Sequence, residues 1–169
     1  MILFHGSNLE IERIDLSLCR PYKDFGRGFY TTEVEEQAQQ MAKRAVRLFG
    51  GNPCITKFAV DDTEFENCDI RKKRFDSPTN EWALFVINNR NRDFADTASL
   101  ACNSDNKYGI VIGPVANDDI RLLFDLFENE IITIDVLTKR LEYKELTSQI
   151  SFHTDGAVKL LKKTGAYNL

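Results

Sequence analysis

Asp24-Phe25-Gly26-Arg27-Gly28-Phe29-Tyr30-Thr31-Thr32 is the stretch of sequence that bears most on the fold. Its two glycines permit a sharp turn, and the aromatic and β-branched residues after them favour a short strand. Successive side chains of a strand point to opposite faces, so only one of Phe29 and Tyr30 can face a ligand. The exposed ring could then stack on a flat heteroaromatic group. The segment is not a dinucleotide fingerprint, because the third glycine of that motif is missing.

The residues upstream of this segment form a second candidate motif. Residues 2–5 are typical of a first strand, which ends in His5 and is followed by Gly6 and Ser7. A histidine at this place can hydrogen-bond a ligand hydroxyl, and the neighbouring glycine leaves the backbone open to close approach. The alternative is a partly buried histidine before an ordinary turn.

Helices and strands alternate irregularly along the rest of the chain. Thr32 and Glu35 form a capping-box pair ahead of a long helix that ends at Gly50. Ser77 as N-cap and Pro78 as first residue predict another helix. Further strands are expected at 54–60, 108–114 and 149–153, and further helices from 118, over 135–143 and near the C-terminus. Because regular βαβ spacing is absent, we expect an α+β fold.

Length and composition indicate one globular domain over residues 1–169. The net charge of −4 disfavours general binding to nucleic-acid phosphates. The basic run 71–74 is interpreted as a solvated turn, with a docking surface as the alternative. Four scattered cysteines and two histidines predict neither a zinc site nor a disulfide framework. No segment has the pattern of a signal peptide or a membrane span, so we expect a cytoplasmic protein with no membrane partner.

Taken together, these motifs resemble known families. Residues 5–7, followed by residues 26–32 and a helix rich in alanine, look like the first two motifs of the His-Tyr-Glu branch of the ADP-ribosyltransferases. More narrowly, three segments resemble the bacterial family called domain of unknown function 3990: residues 24–30, 108–118 and 149–154. This second resemblance covers nearly the whole chain.

The resemblance implies an ADP-ribosyltransferase-like fold, a split mixed β-sheet with flanking helices, and NAD bound as substrate in a cleft between its halves. In such a site His5 would hydrogen-bond a ribose, the Gly6 backbone would hold the carboxamide, and Tyr30 would stack on the nicotinamide ring. Ser7, Gly28 and Thr31 belong to the same two NAD-binding motifs. Arginine suits bidentate contact with phosphate, and the candidates for the pyrophosphate are Arg13, Arg20 and Arg27.

The third motif departs from the family pattern. Its glutamate corresponds here to Gln149. A glutamine can orient a ribose hydroxyl, but it offers no negative charge to an oxocarbenium-like transition state and cannot act as a base. Glu81 is the alternative catalytic carboxylate, although its place in the first turn of a predicted helix is already explained by the helix dipole.

The function implied by the resemblance is NAD-dependent mono-ADP-ribosylation of an unknown protein or nucleic acid. By analogy with related families, the protein could be the toxin of a bacterial toxin–antitoxin pair, with a cognate antitoxin protein as partner. Because Gln149 cannot activate a ribose hydroxyl, chain extension is not expected. The alternatives are an NAD glycohydrolase, a catalytically inactive NAD-binding or interaction module, and a structural domain that binds no nucleotide.

Overall fold

The computed structural model describes residues 1–116, 118–141 and 146–169, and only the backbone of residues 118 and 119. Within this part of the chain there are seven strands and six α-helices. The strands are β1 Ile2–Ser7, β2 Phe29–Thr31, β3 Cys54–Ala59, β4 Lys72–Arg74, β5 Ile110–Pro114, β6 Ser148–Phe152 and β7 Lys162–Asn168. The helices are α1 Glu35–Phe49, α2 Asp62–Asn67, α3 Asn80–Arg90, α4 Asp118–Glu128, α5 Ile134–Leu141 and α6 Asp155–Val158. The expected mixture of helices and strands is confirmed.

The strands form two sheets that meet at a single bridge. One sheet has the order β1-β3-β7 and is antiparallel throughout; the other has the order β2-β6-β5-β4, with only β4 and β5 parallel. The bridge joins β1 to the residue after β2: the Phe4 N–H donates to the Thr32 carbonyl at 2.8 Å, and the Thr32 N–H donates to the Phe4 carbonyl at 3.0 Å. The sheets therefore share one edge contact and then diverge.

One apolar cluster spans both sheets on their common face. Leu3 and Phe58 come from the first sheet, and Phe29, Ile110 and Phe152 come from the second. All are buried, and α2 and α6 cover the cluster through further apolar side chains. Burial of apolar surface is the main favourable term in folding, so this shared cluster holds the sheets together where backbone pairing is sparse.

Helices on the opposite face cover each sheet separately. Helix α1 packs on β1 and β3, where its Ala38 and Ala42 form a cluster with Ile55 of β3. Helices α3, α4 and α5 pack on the second sheet in a cluster that includes Trp82 and Val111. The line along which the sheets diverge thus runs between α1 and the group formed by α3, α4 and α5.

The start of α1 differs from the capping-box prediction. The helix begins at Glu35 with Val34 as N-cap and without a side-chain cap. The Thr32 hydroxyl instead accepts the Val34 N–H at 3.1 Å and donates to Gln37 Oε1 at 2.5 Å. The Glu35 carboxylate accepts a hydrogen bond from the Tyr167 hydroxyl of β7. The capping box is wrong because this tertiary contact, to a strand that the sequence did not predict, takes the glutamate away from the helix end.

The beginning of α3 also lies later than predicted. Thr79, not Ser77, is the N-cap, and its hydroxyl accepts the Trp82 N–H at 3.2 Å. The predicted helix over 135–143 corresponds to α5, and its last two residues lie outside the described residues. No helix in the described ranges is both long and apolar enough to cross a membrane.

The basic run 71–74 contributes the edge strand β4 and is not a solvated turn. Lys72 Nζ donates to the carbonyls of Glu66 and Cys68, and Lys73 pairs with the carboxylate of Glu81. Arg74 lies 3.6 Å from the Glu66 carboxylate. These charges bind groups of the chain itself, which argues against a free docking surface.

Candidate functional site

The candidate site lies where β1 and β2 diverge beyond the Phe4–Thr32 bridge. Alternate residues of a strand point their N–H and C=O groups to the same side. Gly6 therefore presents its backbone groups towards β2, as Phe4 does, and Tyr30 presents its own towards β1, as Thr32 does. In the described part of the chain the bridge is the only ladder contact between the two sheets. Backbone donors and acceptors of both strands thus face each other across the divergence.

His5 reaches across this divergence. Its Nδ1 lies 2.7 Å from the carbonyl oxygen of Tyr30, and a carbonyl can only accept, so Nδ1 carries the proton. The imidazole stacks on Phe29 with ring centroids 4.3 Å apart. Burial lowers the pKa of His5 to about 4, the bond to Tyr30 opposes this shift, and the charge of Lys23 adds to it. Near pH 7 the ring is neutral, and its Nε2 is an acceptor with no hydrogen bond to any described residue.

The Tyr30 ring lies on the other face of β2 from Phe29, as strand alternation requires. It stacks on Phe25 at 6.1 Å, and its hydroxyl donates to the Gly26 carbonyl at 2.8 Å and accepts the Phe25 N–H at 3.0 Å. Burial raises the pKa of this hydroxyl well above its usual value. The structure therefore joins His5 to the main chain of Tyr30 and not to its phenol ring, which is anchored in the preceding turn.

A second histidine, His153, holds the turn that precedes β2. His153 Nδ1 donates to the carbonyl of Arg27 at 2.7 Å, and its Nε2 lies 2.8 Å from the Ser151 hydroxyl. Burial lowers the pKa of His153 to about 4. A Cβ on Gly28 would stand 2.5 Å from His153 Nδ1, so the glycine allows the ring to approach the turn. His153 and Gly28 together set the position of the segment that carries Tyr30.

The side chains next to His5 and Tyr30 serve the fold. A Cβ on Gly6 would stand 1.8 Å from the Ala38 carbonyl, so the glycine admits α1 close to β1. The Thr31 hydroxyl donates to the Ile150 carbonyl at 2.9 Å. Ser7 pairs with Cys54 in the sheet. Close approach to Gly6 is therefore made by a helix on its Cα side, while its backbone edge faces the divergence.

Basic side chains gather beside this site. The Arg20 guanidinium lies 4.3 Å from the centre of the Phe49 ring, and Arg27 donates to the Ser17 carbonyl at 3.0 Å. Lys23, which the sequence analysis missed, is half-buried with its Nζ 5.6 Å from the centre of the Tyr30 ring. A lysine in a loop carries no sequence signal for such a position, because only the fold brings it to the tyrosine.

The position that corresponds to the third motif lies on β6. Gln149 is buried and pairs with Gly113; one step beyond the pair Thr31–Ile150, it stands across from Thr32. Its side chain shares a face of the sheet with Tyr30, because Tyr30 pairs with Ser151 two residues along the strand. The side-chain amide of Gln149 makes no hydrogen bond within the described ranges.

Glu81 lies elsewhere, in the first turn of α3, the helix that packs on the second sheet. Its exposed carboxylate forms an ion pair with Lys73 on β4, the strand at the far edge from β2. The structure therefore groups Gln149 with Thr32 and Tyr30, whereas Glu81 takes part in a surface ion pair two strands from β6.

A polar network that the sequence analysis missed closes the junction between the sheets. Gln37 of α1 is buried; its Nε2 donates to the Thr147 hydroxyl at 2.7 Å, and its Oε1 accepts from Thr32. One sequence signal could have indicated this network: Gln37 is a polar residue beside Ala38, on the side of α1 that is buried. A buried amide needs hydrogen-bond partners. The network ties α1 to the chain just before β6.

A family model matches the chain over residues 1–163, and its description reads "Protein of unknown function (DUF3990)". The chain belongs to this family. The DUF3990 match covers β1 to β6 and enters β7, so it contains every residue of the candidate site. No curated protein and no solved structure matches the chain. The resemblance to DUF3990 that the motifs indicated is confirmed.

In this member of DUF3990, the candidate site combines three kinds of group. His5 offers a neutral acceptor, Gly6 and Tyr30 offer backbone groups along the divergence, and Lys23 offers a positive charge. Gln149 stands on the neighbouring strand without a negative charge. This set can bind a polar ligand that has hydroxyl, amide and anionic groups.

Proposed function

We propose that this protein binds NAD at the divergence of its two sheets and transfers ADP-ribose to a macromolecule as a mono-ADP-ribosyltransferase. The observation that carries the proposal is the hydrogen bond from His5 Nδ1 to the Tyr30 carbonyl, at the point where β1 and β2 separate. Two motifs that are far apart in the chain meet there. The divergence between the sheets and the motif residues along it are consistent with the split sheet of an ADP-ribosyltransferase-like fold.

The tautomer of His5 suits a ribose. With its proton on Nδ1 and a pKa of about 4, the ring presents a lone pair at Nε2 near pH 7. A hydroxyl is the natural partner of this acceptor, because it donates without bringing a charge. Phe29 stacks on the imidazole and limits its rotation, so the acceptor is held in place before the ligand arrives.

The backbone along the divergence suits a carboxamide. Gly6 turns one N–H and one C=O towards β2, and a carboxamide offers one acceptor and a donor to such a pair. An unpaired backbone edge is a recurrent place for recognition by main-chain hydrogen bonds. The nicotinamide end of NAD would therefore lie beside Gly6, with the ribose towards His5.

Gln149 limits the chemistry. In the reaction the bond between nicotinamide and ribose breaks, its electron pair leaves with nicotinamide, and the acceptor atom bonds to the ribose carbon and loses a proton. A carboxylate beside the ribose would stabilise the positive charge that develops, whereas a glutamine supplies hydrogen bonds only. Gln149 therefore favours single transfer at a low rate, and it makes a catalytically inactive NAD-binding module, or an NAD glycohydrolase, the second candidate.

Incubation of the protein with NAD labelled on the adenylate, together with bacterial lysate, tests the proposal. We expect label on a macromolecule and release of nicotinamide. We expect His5→Ala to lower both by about tenfold or more, because the variant loses a hydrogen bond made in the site. Gln40→Ala, at an exposed position of α1, is the matched control and should behave as the wild type.

The outcomes separate the candidates. Nicotinamide release without labelled acceptor selects the glycohydrolase, and calorimetric binding of NAD without turnover selects the inactive module. The absence of NAD binding at millimolar concentration contradicts all three.

The toxin proposal has its own measurement. Induced expression in a bacterial host should arrest growth, and His5→Ala should relieve the arrest at equal protein level. A host that grows equally well with both proteins would contradict a toxin that depends on this site. The cognate antitoxin would be a protein whose co-expression restores growth.

A further inference from the structure

Lys23 is a half-buried cation without a carboxylate partner among the described residues. The described residues give it no ion pair, and its Nζ lies over the Tyr30 ring at 5.6 Å from the ring centre. The neighbouring Asp24 does not neutralise it directly. One oxygen of that carboxylate binds Arg90 at 2.6 Å, and the other accepts the Ala116 N–H at 2.7 Å. Burial of an uncompensated charge is costly, so a position of this kind is typical of a site that receives an anion.

The electrostatic surroundings of Lys23 are positive. Burial lowers its pKa, the charge of Asp24 raises it, and the charges of Arg20, Arg44 and Arg90 lower it further. The charge of the same lysine also lowers the pKa of His5. Lys23 thus lies among basic side chains, in the loop between β1 and β2 that leads to the candidate site.

Arg20 and Arg27 differ in what their guanidinium groups already do. Arg27 donates to the Ser17 carbonyl and so fastens the short 3-10 helix Leu16–Leu18 to the turn before β2. Arg20 rests over the Phe49 ring, a contact that leaves its N–H groups available for a further acceptor. Of the two arginine candidates that lie nearest the motifs, Arg20 and Arg27, the geometry favours Arg20.

We propose that Lys23, with Arg20 beside it, binds the pyrophosphate of the dinucleotide. The inference rests on the proposed function, because the pyrophosphate is the anionic part of NAD and His5 marks where its riboses would lie. A doubly charged group matches a lysine and an arginine better than a single carboxylate would. Lysine acts on phosphate as a point charge and arginine as a planar fork, so the two side chains are complementary.

Titration calorimetry with three probes, NAD, ADP-ribose and inorganic pyrophosphate, tests this assignment on the full chain. Lys23→Met keeps the apolar stem of the side chain and removes its charge. We expect it to weaken all three probes by about tenfold, the usual effect of losing a charge-assisted hydrogen bond. Lys23→Arg should restore most of the affinity. Lys72→Met is the matched control, because Lys72 is also half-buried and lies 5.8 Å from the centre of the Phe65 ring, on the distant strand β4.

The outcomes distinguish failure of this inference from failure of the proposed function. If wild type binds NAD and Lys23→Met binds it equally well, the phosphate assignment is wrong and the NAD site stands. If wild type binds pyrophosphate through Lys23 but does not bind NAD, the anion site stands and the NAD proposal fails. Tighter NAD binding by a folded Lys23→Met would overturn the assignment, since it would mean that the lysine competes with the ligand for the Tyr30 ring.

Discussion

His5 shows how one side chain can link two motifs that lie 25 residues apart. Its Nδ1 donates to the Tyr30 carbonyl and its ring stacks on Phe29, so the fold sets the direction of its other nitrogen, Nε2. His153 uses the same chemistry on the other side of β2, where it holds the Arg27 carbonyl. Both histidines are neutral near pH 7, and each fixes one end of the segment that contains Tyr30.

The first prediction for a single residue concerns the charge at position 149. Gln149→Glu places a carboxylate on β6, on the same face as Tyr30. We expect nicotinamide release to rise by about a hundredfold, because a fixed negative charge stabilises a developing cation. The measurement is the initial rate of release at saturating NAD.

Gln40→Glu, which adds the same charge on the exposed side of α1, is the control and should leave the rate unchanged. An unchanged rate in a folded, NAD-binding Gln149→Glu protein would show that position 149 does not face the ribose.

The second prediction concerns the pH dependence of stability. The pKa of His153 is about 4 in the folded chain against 6.5 for an unperturbed histidine, because burial disfavours the charged form. The contribution of His153 to the free energy of unfolding is complete above 6.5, the pKa of histidine in the unfolded chain. It is lost as the pH falls from 6.5 towards 4. We expect the free energy of unfolding to fall by about 2 kcal/mol for this group between pH 7 and pH 5, with a similar contribution from His5, whose pKa is lowered to the same value.

Urea denaturation at the two pH values measures this change. His153→Asn should reduce the difference between them, since asparagine does not titrate. An equal difference in wild type and variant would assign the pH dependence to other groups.

At the scale of the element, the contact between β1 and α1 depends on Gly6. An added Cβ would meet the Ala38 carbonyl at 1.8 Å, and the helix backbone cannot yield as a flexible side chain would. We expect Gly6→Ala to destabilise the protein by about 3 kcal/mol, the upper part of the range for overpacking. Thermal unfolding followed by circular dichroism checks this.

Gly165→Ala provides the comparison for Gly6→Ala. Gly165 lies in β7, and a Cβ there would meet no heavy atom within 4 Å. We expect a change of less than about 0.5 kcal/mol, as for most surface substitutions. Similar losses in the two variants would mean that glycine acts through backbone conformation and not through the approach of α1.

At the scale of the whole molecule, two sheets that share one bridge are expected to unfold together. The cluster that contains Leu3, Phe58 and Ile110 spans both sheets, so neither keeps its apolar face covered without the other. Trp82, the only tryptophan, reports on the second sheet, and the buried Cys54 thiol reports on the first.

We expect the fluorescence change of Trp82 and the exposure of Cys54 to thiol reagent to occur at the same urea concentration. Exposure of Cys54 well before the fluorescence transition would show that the first sheet opens alone.

Local patterns predicted the strands and helices whose signals lie within a few residues. The first strand, the short strand at Tyr30 and the long helix after it follow from alternation, helical spacing and glycine stops, and the structure has them within a few residues of the expected bounds. The short helix α2 was missed, and so were β4 and β7, which are polar strands. Lys72–Arg74 and Lys162–Asn168 become strands because a neighbour supplies the hydrogen bonds, and no local pattern encodes a neighbour.

By itself, the sequence determined the family and the residues of its motifs, because these depend on residue type and spacing alone. The tertiary structure decided which groups of those residues are available. It turned the His5 ring to the main chain of Tyr30, anchored the phenol hydroxyl in the preceding turn, and set Lys23 over the phenol ring. Such arrangements depend on contacts between segments distant in the chain, and each contact forms only when the sheets and helices have packed.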